Sequence, residues 1–265
     1  MCRLIGYFGD NIRLDELLYK QEHSLYNQSY NPLELKSGFV CGDGVGVGWY
    51  DEAGKPFIYR NTIPLWNDPN LKDLSQYVQS ACSVGYVRLA GTGEPLDISN
   101  CQPFRNGKLL FVHNGEISNF QQTLYRPIRD RLGDSTYRLI KGLTDSEHIF
   151  ALLVEIWQSC GDRTLSSALA IALDKLTDLA QKYDTSFSTN IIVSDGQSVA
   201  AVRYAYGTQA PTLYWYCDDV THPSRVIVAS EPLSNQNWTA FPEQSMLSVQ
   251  ADSLVPKISL LEISA

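Results

Sequence analysis

The chain has 265 residues, with 21 Lys+Arg against 29 Asp+Glu for a net charge of −8, and its 44% hydrophobic and 19% charged shares exclude a disordered or collagen-like polymer. An isoelectric point near 5.0 and the lack of clustered Lys or Arg leave nothing to neutralise a phosphate backbone, which excludes nucleic acid as a partner. The longest apolar run, 149–157, is broken by Glu155 and falls short of the roughly 18 residues of a membrane span, so no membrane association is expected.

In chain order, the first half reads as short strands at 3–9, 45–51, 56–60, 82–89 and 108–115, each ended by Gly, Asn or Asp or by a turn. The period then changes. Ile149, Leu152, Leu153 and Ile156 recur at helical spacing from Asp145 onward, with Thr144 and Glu147 placed as a capping box. A second helix carries Leu165, Leu169, Ala172, Leu176 and Leu179 on one face. Strands follow at 186–195, 198–205, 212–218 and 225–230, with a shorter run near 245–250. This order predicts an α+β domain of two antiparallel sheets with helices outside. With no repeat and no linker, residues 1–265 read as one domain.

The N-terminus, MCRLIGYFGD, lacks a basic leader and an apolar core, so a cytoplasmic location is expected. Six cysteines (Cys2, Cys41, Cys82, Cys101, Cys160 and Cys217) stand at wide spacings without a C-x-x-C pair. They fit neither a zinc site nor a disulfide framework and are expected as thiols.

Cys2 follows the initiator methionine, which is commonly trimmed before a small residue. Trimming would put a thiol and an α-amine on one carbon. With reference pKa values of about 8.5 and about 7.7–8.0, the amine can take the thiol's proton, so one residue supplies nucleophile and base. The plain alternative is a small hydrophobe opening a strand. Asn114-Gly115 is first a turn former; functionally, its side-chain amide and adjacent N–H suit an oxyanion. His113 beside it reads as a structural histidine. Arg88 ends a strand and is either a solvated charge or a planar fork for a carboxylate. If Thr144 caps the helix, Asp145 is left free and ionised by the helix dipole, able to hold an ammonium. The alternating glycines of 41–49 do not follow a phosphate-binding pattern.

Taken together, MCRLIGYFG, HSLYNQSY (23–30), CGDGVGVGWYD (41–51), VGYVRLAGTG (84–93), NCQPF (100–104), FVHNGEISNF (111–120), TDSEHIF (144–150) and VASEPL (228–233) resemble the class II glutamine amidotransferases of the N-terminal nucleophile hydrolase superfamily. Within that family the chain is most similar to the stand-alone branch, which includes the ergothioneine-pathway γ-glutamyl amidohydrolases. The resemblance implies a four-layer αββα sandwich and no metal or organic cofactor. It implies Cys2 as nucleophile and Asn114 and Gly115 as oxyanion hole. It further implies Arg88 and Asp145 as ligands of the substrate's α-carboxylate and α-ammonium. Where relatives often have Arg-x-Ala-Thr, this chain has Arg88-Leu89-Ala90-Gly91, with Thr92 one place later.

The implied activity is cleavage of the γ-glutamyl amide bond of glutamine or of another small γ-glutamyl molecule, in ergothioneine-type thiol metabolism. Two alternatives stand beside it: a glutaminase subunit feeding ammonia to a separate synthase, and an inactive binding module. The leaving-group site is expected in loops 20–38, 61–74 and 205–224, rich in Tyr, Trp and Asn. A protein partner or a second copy is left open.

Overall fold

The computed structural model describes residues 2–35, 40–91, 95–159, 161, 164–219, 221 and 223–261. Its strands are β1 (Arg3–Arg13), β2 (Val45–Tyr50), β3 (Pro56–Asn61), β4 (Gln79–Val87), β5 (Phe104–Asn106), β6 (Leu109–Ile117), β7 (Phe187–Ser194), β8 (Ser198–Tyr206), β9 (Tyr214–Cys217), β10 (Arg225–Ala229), β11 (Thr239–Ala240), β12 (Ser245–Gln250) and β13 (Lys257–Leu260). The helices are α1 (Leu14–Leu18), α2 (Leu25–Tyr30), α3 (Pro69–Tyr77), α4 (Tyr125–Arg129), α5 (Asp134–Tyr137), α6 (Asp145–Ser159) and α7 (Leu165–Lys182). The strands form two antiparallel sheets, ordered β11-β9-β10-β1-β4-β2-β3 and β13-β12-β8-β7-β6-β5.

Alternation along each strand sends successive side chains to opposite faces, and this sorts the core into three apolar layers. Between the sheets, Leu4, Val84 and Val228 meet Leu110, Val112, Ile192 and Leu247. On the far side of the second sheet, Phe111, Ile191 and Val193 pack under Ile149 and Leu153 of α6 and Leu169, Leu173 and Leu176 of α7. On the far side of the first, Ile5, Tyr7 and Val45 pack under Leu18, Leu25 and Leu71 of α1, α2 and α3. The result is the αββα order.

The helical layer over the first sheet replaces what the sequence presents as loops. Segments 20–38 and 61–74 contain α2 and the start of α3, and α1 lies just before them. Helices of five to nine residues complete too few turns to establish a period. Their caps are nevertheless written in the chain: Ser24 accepts from the Asn27 N–H, and Asp68, followed by Pro69 in the first turn, accepts from the Leu71 N–H. The other additions, β5, β11 and β13, are two- to four-residue strands at or near sheet edges.

Candidate functional site

Cys2 packs partly buried against the layer between the sheets. In β4, Tyr86 stands opposite Leu4, so the pleat places Cys2, Leu4, Tyr86 and Arg88 on one face of the first sheet. Tyr86 Oη donates to Cys2 Sγ at 2.7 Å, and the Leu89 N–H lies 3.3 Å from the same sulfur. Burial pushes the Cys2 thiol up from its ordinary pKa, and these two donors pull against that rise. The Tyr86 phenol, buried against the sulfur, is held well above its usual range.

The facing surface comes from β6. Leu110 and Val112 point into the layer between the sheets, so Asn114 does too, while His113 points the other way and bonds Ser146 Oγ of α6 at 2.8 Å. Asn114 is 1% exposed, and among the described residues neither its Nδ2 nor its Oδ1 has a partner. A buried amide without partners is unusual in a folded protein and suits a group that bonds a ligand. At Gly115 a Cβ would sit 2.0 Å from the Ser188 carbonyl oxygen and 2.8 Å from His113 Nε2, so no side chain fits. Burial drives His113 down to about 4, and the ring is neutral near pH 7.

Arg88 is 2% exposed, buried at the strand end where the sequence taken alone favours a solvated charge. Its Nη1 reaches the Pro95 carbonyl at 3.3 Å, and its backbone N–H donates to Gly44 O at 2.8 Å. Thr92, one place beyond Gly91, lies outside the described residues, as do Cys160, residues 36–39 of the first loop, and Val220 and His222 of the last.

Asp145 differs from its expected free state. Its Oδ2 accepts from the Ile117 N–H at 2.8 Å and its Oδ1 from the Ser146 N–H at 2.7 Å, which fastens the start of α6 to the end of β6. The carboxylate therefore sits beside the Asn114-Gly115 segment, with the Ile117 N–H and the Ser146 N–H and hydroxyl among the donors that hold it. The capping box is half formed: Thr144 Oγ1 accepts from the Glu147 N–H at 3.3 Å, but the Glu147 carboxylate takes the Lys141 and Gly142 N–H groups.

Sequence reasoning assigned no role to Tyr86 or to the ion pair behind Cys2. Arg3 Nη1 donates to the Cys2 carbonyl at 3.0 Å, and its Nε lies 2.8 Å from Glu231, both side chains buried. Glu231 also meets His23 Nε2 at 2.7 Å and accepts from the Leu33 and Glu34 N–H groups at 2.9 and 3.1 Å. Burial opposes its charge, but the His23 and Leu33 hydrogen bonds and the Arg3 charge outweigh that and hold its carboxyl below the usual range. The signal was present in MCR and VASEP, each containing one half of the pair. Among the described residues no group of three or more His, Cys, Asp or Glu could hold a metal ion, and no helix is long and apolar enough to cross a membrane.

A family model described as glutamine amidotransferases class-II matches residues 28–209. The chain is 30% identical to the probable glutamine amidotransferase DUG3 of Saccharomyces cerevisiae, over 96% of this chain and 83% of that protein. It is 35% identical to the gamma-glutamyl-hercynylcysteine sulfoxide hydrolase of Mycobacterium tuberculosis, over 94% and 93%. Among solved structures, a glutamine aminotransferase class-II domain protein from Silicibacter pomeroyi superimposes with a TM-score of 0.71 at 26% identity, covering 98% of this chain and 99% of that one. The glutamine phosphoribosylpyrophosphate amidotransferase of B. subtilis shares the fold, with a TM-score of 0.68 at 17% identity over 99% of this chain and 50% of that one.

Proposed function

Because the chain belongs to the class II glutamine amidotransferases, we propose that it hydrolyses the γ-glutamyl amide bond of glutamine or of another small γ-glutamyl compound through Cys2. The observation that carries this reading is the buried Asn114 amide, unpartnered among the described residues, on the same intersheet layer as Cys2. Removal of Met1 frees the α-amine, which takes the thiol proton. The thiolate attacks the γ-carbonyl; a C–S bond forms, and the carbonyl electrons move to an oxygen held by the Asn114 amide and the Gly115 N–H. Collapse breaks the C–N bond, and the α-ammonium passes its proton to the leaving nitrogen. Water then cleaves the thioester, releasing glutamate and restoring the thiol. Arg88 and Asp145 hold the α-carboxylate and α-ammonium of the glutamyl group.

The mycobacterial relative's name supports a sulfur-containing γ-glutamyl substrate, and we propose on that basis a place in ergothioneine-type thiol metabolism. The yeast relative's name, a probable glutamine amidotransferase, favours a second reading in which the amide nitrogen of glutamine is transferred; in that reading the chain would feed ammonia to a separate synthase. Glutamate release by the isolated protein, measured on glutamine and on γ-glutamyl peptides against Cys2→Ala, tests the reading. Peptide turnover that disappears in Cys2→Ala is the expected result, and equal activity in the two proteins would overturn it. Hydrolysis of glutamine but of no γ-glutamyl peptide would favour the ammonia-supplying reading. Intact mass reports whether the working chain begins at Cys2.

A further inference from the structure

Asn190 of β7 stands directly across from Asn114 of β6. Ile192, two residues along, points into the layer between the sheets, so both amides share that face. Asn190 is fully buried. Its Nδ2 donates to the carbonyls of Thr212 at 2.8 Å and Pro211 at 3.2 Å. Carbonyls only accept, so the nitrogen must be the atom turned toward them and the oxygen the atom turned away; hydrogen-bond chemistry fixes the orientation of this amide. The outward Oδ1 has no partner among the described residues.

The anchor is well held. Pro211 O also accepts from Arg203 Nε at 2.8 Å, and Arg203 Nη1 donates to Phe241 O at 2.7 Å. Thr212 Oγ1 donates to Ser230 O at 3.1 Å, and the Ser230 N–H donates to Leu4 O at 3.0 Å, two residues from Cys2. A short chain of hydrogen bonds thus ties Asn190 to the strand that carries the sulfur.

Resting on the γ-glutamyl reading of this site, we propose that Asn190 is a substrate-recognition residue whose Oδ1 accepts the N–H of the scissile γ-amide, opposite the Asn114 amide that donates to its carbonyl oxygen. Directly paired residues on one face of an antiparallel ladder have Cβ atoms about 4.5–5.5 Å apart, and an amide offers its acceptor and its donor on atoms two bonds apart. A neutral donor and a neutral acceptor at that spacing match a neutral amide, whereas the charged ends of the glutamyl group call for ions such as Arg88 and Asp145. The acceptor would go unpaired against a ligand lacking N–H, so the site selects primary and secondary γ-glutamyl amides over γ-esters. Leaving a buried acceptor unsatisfied is the discrimination a polar site achieves best.

Two matched substrates test this: glutamate γ-methylamide, which has the N–H, and glutamate γ-methyl ester, which has not. Asn190→Ala is expected to lower kcat/KM for the methylamide about 10- to 100-fold while leaving the ester within about threefold. A loss shared equally by the two substrates, or no loss on either, overturns the proposal, because a merely structural asparagine cannot change their ratio. A second measurement leaves position 190 intact. Calorimetry on Cys2→Ala should give a Kd for the methylamide about tenfold or more below that for the ester; equal values overturn the proposal even if Asn190→Ala fails to fold. If wild type releases no glutamate from either compound and Cys2→Ala binds neither, the γ-glutamyl reading itself falls and this inference goes with it. If wild type turns over both while the ratio is unmoved, only the role of Asn190 falls.

Discussion

The phenol of Tyr86 donates to the sulfur of Cys2 at 2.7 Å, from a strand that pairs with the one Cys2 precedes. Burial raises the thiol's pKa and this hydrogen bond lowers it. Tyr86→Phe removes the opposing donor, so the thiol must titrate at higher pH. The pH dependence of alkylation at Cys2, read by mass spectrometry, should shift upward. An unmoved or lowered midpoint would show that the phenol does not act on the sulfur.

Asn114→Ala separates activity from stability. The amide has no partner among the described residues, so its removal breaks no internal hydrogen bond, while losing one oxyanion donor typically costs about 10²–10³ in kcat. Turnover should fall by that factor with Tm lowered by only a few degrees. Near-normal kcat would remove Asn114 from the chemistry.

Gly115→Ala should fail in a different way. Its new methyl would sit 2.0 Å from the Ser188 carbonyl of the paired strand, and backbone cannot yield as a flexible side chain does. Overpacking of this kind typically costs about 1–3 kcal/mol. Urea denaturation measures it, and a variant as stable as wild type would contradict the close approach of β6 and β7.

Glu231→Ala strands the buried Arg3 guanidinium that also holds the Cys2 carbonyl. Breaking a buried pair by removing one member usually destabilises by about 3–5 kcal/mol. The same variant frees the Leu33 and Glu34 N–H groups, so that segment should gain amide hydrogen exchange. A stability loss below about 1 kcal/mol would count against the pair's structural weight.

His113 and His148 are both driven by burial from 6.5 down to about 4. The unfolded chain therefore takes up protons from pH 6.5 downward before the folded one does. The contribution of the neutral rings is complete above pH 6.5 and is lost as the pH drops toward 4, amounting to about 2 kcal/mol per ring at pH 5. Chemical denaturation at pH 7 and pH 5 should show this fall, and His113→Asn should reduce it. A flat profile would mean that the rings are not desolvated.

Much of the architecture is legible in the sequence because its elements are long enough to carry a period. β6, β7, β8, α6 and α7 lie within a few residues of where alternation or helical spacing put them. The α1–α3 layer is not, since so few turns set no rhythm and only caps such as Asp68-Pro69 announce them. Cys2, Arg88 and Asp145 stand out by chemistry at strand or helix ends, and Asn114-Gly115 as a turn-forming pair, although the structure carries both inside β6 as ladder partners of Asn190 and Thr189. Tyr86, Asn190 and Glu231 do not: each looks like an ordinary strand or turn residue until the fold brings it to a partner 76 to 228 positions away, as Asn190 is from Asn114 and Glu231 from Arg3.

Cys2 immediately precedes a strand of one sheet and Asn114 lies in a strand of the other, both facing the layer where the sheets press together. Neither half of the molecule carries a working centre by itself, so on this reading turnover reports whether the two halves are joined. A perturbation that slides one sheet over the other by a single residue would keep every strand intact and still silence the protein.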